Sequence, residues 1–547
     1  MKNLKYFWLV VILSFLPLAA IIFNPLLVHT HDGPVHLARM GAWFKAFMDG
    51  QLPVRWAADL NYGYGSPVLI FMYPWPYFLA TVLVGLGLGL AAAFKSVLVL
   101  SFLVSAVFMF LFAQEFFKDK KVALLTTLLY QFASFRLVEI SVRGSLGEVW
   151  VYAFAPLVLW GLAKIFNGQV GLGWWLAALG TGLLIISHNS ISLAFFGAAV
   201  LFMVFFAPRL RLGLAGFSAL LFGLMLSAFY WLPALWERKY TYGDLFMKDL
   251  YLEHFPELGQ LFWPNPLNLV SGQVHDITVQ FGAVHVLAVL IALYLWFKKR
   301  LTVQERRTVA YSLVIIAGCV FLMQPVSVPL WQNLALLRQF QFSWRLLSLV
   351  TLATAMLGFV LLRVNLSKRL YWPLCAFIIL LTISWWRPML GFDRINESEF
   401  WNYPLSTTYF GEANTIWAAN PPQSFPENRV EIIGGKGEIS NFIWTTTSQK
   451  FLVKNQTEVN ILSNTLFFPG WRVFSDGQEV PIEFQNQNHR GLITFRLPAG
   501  EHQVEIKFGQ TRDRQVGEII SLISISILLG LSFVGRLRQS RKKGSSF

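Results

Sequence analysis

The chain has 547 residues, 55% hydrophobic and 16% aromatic, with only 13% charged and a formal net charge of +15. Soluble globular proteins carry roughly 25% charged residues, so half that level with long apolar runs excludes an ordinary soluble domain and points to a membrane protein. The positive charge is gathered in short clusters between apolar runs: Lys118, Lys120 and Lys121; Arg209 and Arg211; Lys298 to Arg300 with Arg306 and Arg307; Lys368 and Arg369; and Arg536, Arg538 and Arg541 to Lys543. That is the distribution of cytoplasmic loops, not of a nucleic-acid-binding face.

The first apolar run, Tyr6 to Val28, follows Lys2 and Lys5. It is long enough to cross a hydrocarbon core of ~30 Å and has no small-residue cleavage site, so it reads as a retained helix. Further spans are expected at Phe94–Phe117, Val122–Ile140, Trp150–Phe166, Leu172–Ser187, Ile191–Ala207, Leu212–Trp236, Phe281–Phe297, Thr308–Met323, Leu346–Val364, Leu370–Trp386 and Glu518–Val534. The stretch from Pro67 to Leu90 is apolar enough to cross but opens SPVLIFMYPWPY, and its prolines break helix hydrogen bonding. If it crossed, every later basic cluster would lie outside. Kept in the outer interface, it puts them all in the cytoplasm.

The expected fold is therefore a polytopic α-helical membrane protein of about 12 transmembrane helices in the plasma membrane, both termini cytoplasmic. Residues 1–387 form the membrane domain, with juxtamembrane helices in a first outer loop, 29–90. Residues 388–517 form an extracytoplasmic β-sandwich-like domain, read from alternating stretches such as KFLVK, ITFRL and HQVEIKF separated by the turn signals SDGQ, HRG and PAGE. Residues 518–547 are the last helix and a basic tail. A second outer loop is expected from Glu237 to about Gln280. Cys319 and Cys375 both lie in apolar runs and define no disulfide or metal motif.

Chemistry is concentrated at the outer ends of the spans. The first loop begins VHTHDGPVHLARMGAWFKAF, with Leu37, Met40, Phe44 and Phe47 at helical spacing and His36 and Arg39 on another face. This is an amphipathic helix expected to lie flat on the membrane surface. Asp32 is either a helix-start acid ahead of Gly33-Pro34 or a carboxylate placed to accept a proton from an acceptor hydroxyl. Arg55 and Asp59 continue the loop. Arg143 and Glu148 lie in VRGSLGEVW, His188 follows the fifth span, Glu237 follows WLPALW, and Arg345 follows QFQFSW. Singly these are boundary anchors. Together they supply the groups that bind a phosphate head group beside a working carboxylate. His29, His31 and His36 are near one another in sequence, but their spacing matches no metal motif. Tyr73, Trp75 and Tyr77 form either an interfacial aromatic belt or a seat for a lipid.

These segments together resemble a known family. HDGPVHLARM, LPVRWAADLNYGYGSPVLIFMYPWPY, VRGSLGEVW, LLIISHNS, SAFYWLPALWERKY and RQFQFSWRLLSL, in that order, resemble the membrane proteins labelled "6-pyruvoyl-tetrahydropterin synthase-related". LFFPGWRVFSDGQEVPI and RLPAGEHQVEIKFGQT are similar to the extracytoplasmic end of YfhO-type proteins. Both groups look like members of the GT-C class of membrane glycosyltransferases. The resemblance implies transfer of a hexosyl or pentosyl unit from a polyprenyl-phosphate carrier to an extracytoplasmic glycan, lipid or protein acceptor. It implies that Asp32 is the catalytic base or a metal ligand. Arg143, His188 and Arg345 match polar positions of the narrower family and are assigned to the donor phosphate, with His31, His36, Arg39, Arg55, Asp59, Glu148 and Glu237 as further site candidates. One Asp follows the first span where the better-characterised pattern has a pair of acids, so no cofactor is assigned and a divalent cation at Asp32 stays open. The partners implied are the lipid-linked sugar, the acceptor and membrane lipids, and no nucleic acid. Two rival readings are a lipid or polysaccharide transporter, which needs charges along a path through the spans, and a membrane scaffold presenting the β-domain. Glu115, Arg136 and Glu139 fall near span ends, which weighs against a path.

Overall fold

The computed structural model describes residues 2–263, 277–363, 368–409, 411–418 and 422–544, those at 2–4, 368 and 531–544 by backbone alone. Part of the second outer loop, 264–276, and the side chains of the basic tail fall outside the described residues. Four helices are long and apolar enough to cross a bilayer: Lys5–Phe23, Leu90–Phe117, Leu146–Phe166 and Ser343–Arg363. Three more candidates are bent pairs, Lys120–Gln131 with Ser134–Arg143 (49°), Leu210–Leu226 with Ala228–Tyr240 (67°) and Val303–Leu322 with Pro325–Asn333 (86°). Val170–Ile185, Ser190–Phe206, Ala283–Phe297 and Tyr371–Trp385 are shorter apolar helices, and Arg512–Gly544 is one long C-terminal helix. The architecture is that of a multi-pass membrane protein. Where the sequence suggested about 12 spans, the described residues hold four by length and composition, or up to seven if each bent pair is one span.

Local chemistry sets these boundaries. Asp119 caps the helix Lys120–Gln131 by accepting from the backbone N–H of Lys121 and Val122. Thr302 and Glu305 form a reciprocal capping box at Val303–Leu322. Between Pro67 and Leu90 the chain makes two short helices, Val68–Phe71 and Pro74–Gly85, with Tyr73 extended ahead of Pro74. Twelve residues rise only about 18 Å, short of the ~30 Å hydrocarbon core, so this piece does not cross. Glycine lets Leu146–Phe166 and Val170–Ile185 approach closely: a Cβ at Gly161 would stand 2.3 Å from Ala177 N.

The helix Gly33–Met48 does not lie open on a surface. His36, Arg39 and most of its apolar residues are buried together, because Tyr77 and Thr407 meet the polar face and the short helix Glu397–Trp401 packs along another side. A Cβ on Gly41 would lie 2.9 Å from Phe400 O, and Trp401 meets Phe44 edge-on. Glu397 in turn accepts from the backbone N–H groups of Leu90 and Ala91 at the start of the next helix.

The C-terminal β-region is a five-stranded antiparallel sheet in the order Gly437–Thr445, Ser448–Asn455, Gly500–Phe508, Trp471–Ser475, Gln478–Val480. It packs with a three-stranded sheet of Val430–Gly434, Val459–Leu466 and Leu492–Leu497. Residues from both sheets share one core, including Phe451, Val473, Ile493, Phe495 and Ile506. The SDGQ signal is the hairpin turn between Trp471–Ser475 and Gln478–Val480, with Asp476 (φ 53°) and Gly477 (φ 81°) both left-handed. Trp56 of the first loop inserts into the same core against Trp471 (5.4 Å) and Phe508 (5.2 Å). Gln51 and Asp49 bond Thr446, so the β-region is fastened to the first loop.

Candidate functional site

The residues around Asp32 are assembled by backbone pairing between two loops. His31 N–H donates to Val142 O (3.0 Å) and Asp32 N–H to Arg143 O (2.9 Å). Gly144 (φ 65°) makes this approach possible, since a Cβ there would fall 2.3 Å from Thr30 Oγ1. Asp32 occupies the N-cap position of Gly33–Met48, yet its side chain caps nothing. Its carboxylate is 42% exposed and stands 3.7 Å from the Arg143 guanidinium, whose side chain is only 4% exposed. Asp32 thus starts the helix, as one of the two readings had it, but without a side-chain cap, and its carboxylate stays partly exposed beside Arg143.

Behind it lies a buried charge network. Residues 139–143 wind as a single π-turn, a conformation frequent at functional sites. Glu139 and Arg143 face each other across it. Arg143 Nη1 donates to Glu139 Oε1 and Oε2 (2.8 and 2.7 Å) and to Glu148 Oε1 (2.7 Å). Arg345 Nε stands 2.9 Å from Glu148 Oε1, while its Nη1 donates to Phe340 O and Gln341 Oε1. His188 Nε2 is 3.8 Å from the same Glu148 oxygen, and the ring stacks on Tyr73 at 5.1 Å. The Arg143 guanidinium lies over Trp344. Glu148, with no exposed side-chain surface, is thus the hub joining Arg143, Arg345 and His188, and Arg143 carries the network to Asp32.

Burial lowers the basicity of two imidazoles here. Burial outweighs the attraction of Glu148 and pushes His188 down to about 3. Burial, followed by the nearby Arg39 and Arg143 charges, holds His36 well below its ordinary value. His36 Nδ1 bonds the Tyr77 hydroxyl at 2.8 Å. The first-loop histidines have separate surroundings: His29 pairs with Asp393, His36 with Tyr77, and His31 is exposed. Among the described residues no three His, Cys, Asp or Glu side chains are grouped to hold a metal ion. Any cation at Asp32 would have to be completed by substrate oxygens.

Other sequence candidates lie elsewhere. Glu237 is buried and accepts from Arg514 (2.9 Å) and Thr511 (2.6 Å). Arg55 pairs with Glu518 (2.6 Å), and Asp59 with Lys45 (2.7 Å). The first two pairs fasten the last helix to the rest of the chain, and the third ties the first loop to Gly33–Met48. Tyr73 and Tyr77 are buried rather than forming an exposed belt, since both pack against the ionic cluster. Trp75 instead lines an apolar cavity of about 280 Å³ with Trp43, Phe47, Ile186, Tyr230 and Arg55. Exposed Leu52 and Phe78 also line it. Tyr73, between the cavity-lining Met72 and Pro74, separates it from His188.

The sequence reading placed Glu139 near a span end and did not count it among the site candidates. Its spacing four residues before Arg143 on a helical pattern was the available signal. Arg136, expected near a span end, is fully buried among the rings of Phe102, Tyr130 and Tyr152.

No family model matches the chain. An uncharacterized protein of Lactococcus lactis subsp. cremoris (strain MG1363) is 22% identical over 220 residues, which is 38% of this chain and 36% of that protein. The chain thus spans about a third of that relative's length. Among solved structures, the apo oligosaccharyltransferase of Archaeoglobus fulgidus is similar over 76% of this chain and 61% of its own, at 12% identity and a TM-score of 0.46. The arabinofuranosyltransferase AftD from Mycobacteria is similar over 73% of this chain and 26% of its own, at 14% identity and a TM-score of 0.43. Both scores are below 0.5, and the functional reading rests on the chain's own residues.

Proposed function

We propose that the chain is a membrane glycosyltransferase that moves a sugar from a polyprenyl-phosphate carrier to an extracytoplasmic acceptor, with Asp32 as the base. The observation that carries this is the Asp32 carboxylate, free of any capping bond, half-exposed, and set 3.7 Å from a guanidinium locked in a buried network. A carboxylate so held takes the proton of an acceptor hydroxyl as that oxygen attacks the anomeric carbon. The bond from anomeric carbon to phosphate oxygen breaks, and the carrier phosphate leaves with the electron pair. Arg143, Arg345 and Glu148 hold the frame fixed before the reaction, which is how an enzyme avoids reorganisation when charge moves. The resemblance of Asp32 to the loop acid of the GT-C class supports its assignment as the base. The apolar cavity lined by Met72, Pro74 and Trp75 is sized for part of an isoprenoid chain.

Transfer assays of purified protein against a panel of polyprenyl-phosphate sugars, read by mass spectrometry, test the proposal. Sugar appearing on an acceptor, dependent on the lipid donor, supports it. The observation that favours a transporter reading is Arg136, a cation buried within a candidate span that pairs with no carboxylate among the described residues. Lipid or glycan flux in proteoliposomes without transfer would favour that reading.

A further inference from the structure

We infer that Arg39 is the phosphate-binding cation of this site and that Thr407 occupies it in the present form; the inference rests on the glycosyltransferase reading. The first support is a charge inventory. Arg143 already faces Asp32, Glu139 and Glu148, and Arg345 faces Glu148. Arg55 and Arg514 have Glu518 and Glu237. A further anion would meet, at each of these, a carboxylate already in place. Arg39 is different. It is only 9% exposed, and among the described residues no carboxylate lies within 4.0 Å of its guanidinium, since no ion pair forms there. A buried guanidinium without a counter-charge is costly unless an anion joins it in the working state.

The second support is what touches it. Arg39 Nε donates to Thr407 Oγ1 at 3.1 Å, and Nη2 donates to the Thr407 carbonyl oxygen. Two neutral oxygens thus sit on adjacent edges of the fork, the arrangement in which guanidinium takes two oxygens of a phosphate. Phosphate would offer the same contacts with charge, so it can displace Thr407.

The third support is position. Asp32, His36 and Arg39 recur at helical spacing along one strip of Gly33–Met48, a rise of about 10 Å from first to last. His36 bridges to Tyr77, whose hydroxyl lies beside Arg39. The acceptor's base is then at one end of the strip and the leaving phosphate at the other, on a single rigid element.

The test uses full-length protein in detergent, with farnesyl phosphate, farnesol and inorganic phosphate as probes. Wild type is expected to bind farnesyl phosphate at least tenfold more tightly than farnesol. Arg39→Gln should abolish that preference, Arg39→Lys should keep part of it, and Thr407→Val should tighten farnesyl phosphate severalfold by removing a competing oxygen. Competition by inorganic phosphate at similar concentrations assigns free phosphate as the natural ligand, and competition only by the lipid phosphate assigns a lipid head group. An unchanged preference in Arg39→Gln overturns the inference. Should that variant fail to fold, the Arg39→Lys and Thr407→Val pair decides, and no change in either overturns it. The two readings separate cleanly. Arg39-dependent binding in a protein with no transferase activity defeats the glycosyltransferase reading alone. Transfer by Arg39→Gln with an unchanged donor KM defeats the Arg39 assignment alone.

Discussion

Two buried ionic clusters tie distant segments of the chain together, and they are built differently. At the last helix, Glu237 meets Arg514 with both side chains almost wholly buried, and both carboxylate oxygens are engaged, by Thr511 and by Arg514. That cluster is closed. At Glu148, one carboxylate oxygen serves Arg143 and Arg345 while its Oε2 has no hydrogen-bond partner among the described residues, and the chain of charges ends on the outward-facing Asp32. That cluster is open at one end. Similar residue types at similar depth thus serve as a fastener in one place and a site in the other. The separating features are the unused oxygens and the exposed carboxylate, not the presence of acid and arginine.

Substitutions can break this contrast in graded ways. The largest effect is expected at Glu148→Gln, which leaves the buried Arg345 guanidinium without a counter-charge and takes one of three from Arg143. It should lose about 3–5 kcal/mol of stability together with transferase activity, measured by unfolding and turnover on one preparation. Glu237→Gln should cost several kcal/mol by the same mechanism, yet the folded fraction should keep its turnover per molecule. Equal loss of turnover at the two positions would erase the distinction between fastener and site. Gly144→Ala should cost about 1–3 kcal/mol, because alanine is strained at φ 65° and its Cβ meets Thr30. It should also lower turnover by moving the loop that carries Asp32. The smallest effect is in pH. His188 and His36 are held below their ordinary values, so the unfolded chain binds protons that the folded chain does not. Stability should be level above about pH 6.5 and fall as pH drops from there toward 3, as thermal melts between pH 7.5 and 5 would show.

Much of this was legible in the sequence. Apolar runs and proline breaks located the helices and the non-crossing piece before Leu90, and period-two alternation with SDGQ and PAGE located most strands. The acids, histidines and arginines at one level were visible as residue types. Their partners were not, because partner choice is set by tertiary contacts. Arg514 lies 277 residues from Glu237, and Thr407 lies 368 from Arg39. Gly33–Met48 looked like a surface helix because nothing in its own pattern shows that Tyr77, Thr407 and Glu397–Trp401 cover it. His29 and His36, near one another in sequence, are drawn to Asp393 and Tyr77 by tertiary contacts of the same kind.

The most direct measurement is sugar transfer from a polyprenyl-phosphate donor by purified Asp32→Asn protein, with its melting temperature recorded alongside. Because Asp32 caps no helix and is half-exposed, the variant should melt within a few degrees of wild type and still bind the lipid donor. Its turnover should fall by about 10²–10⁴-fold, the range a lost general base commands. Wild-type turnover in a folded Asp32→Asn protein would contradict the assignment of the base.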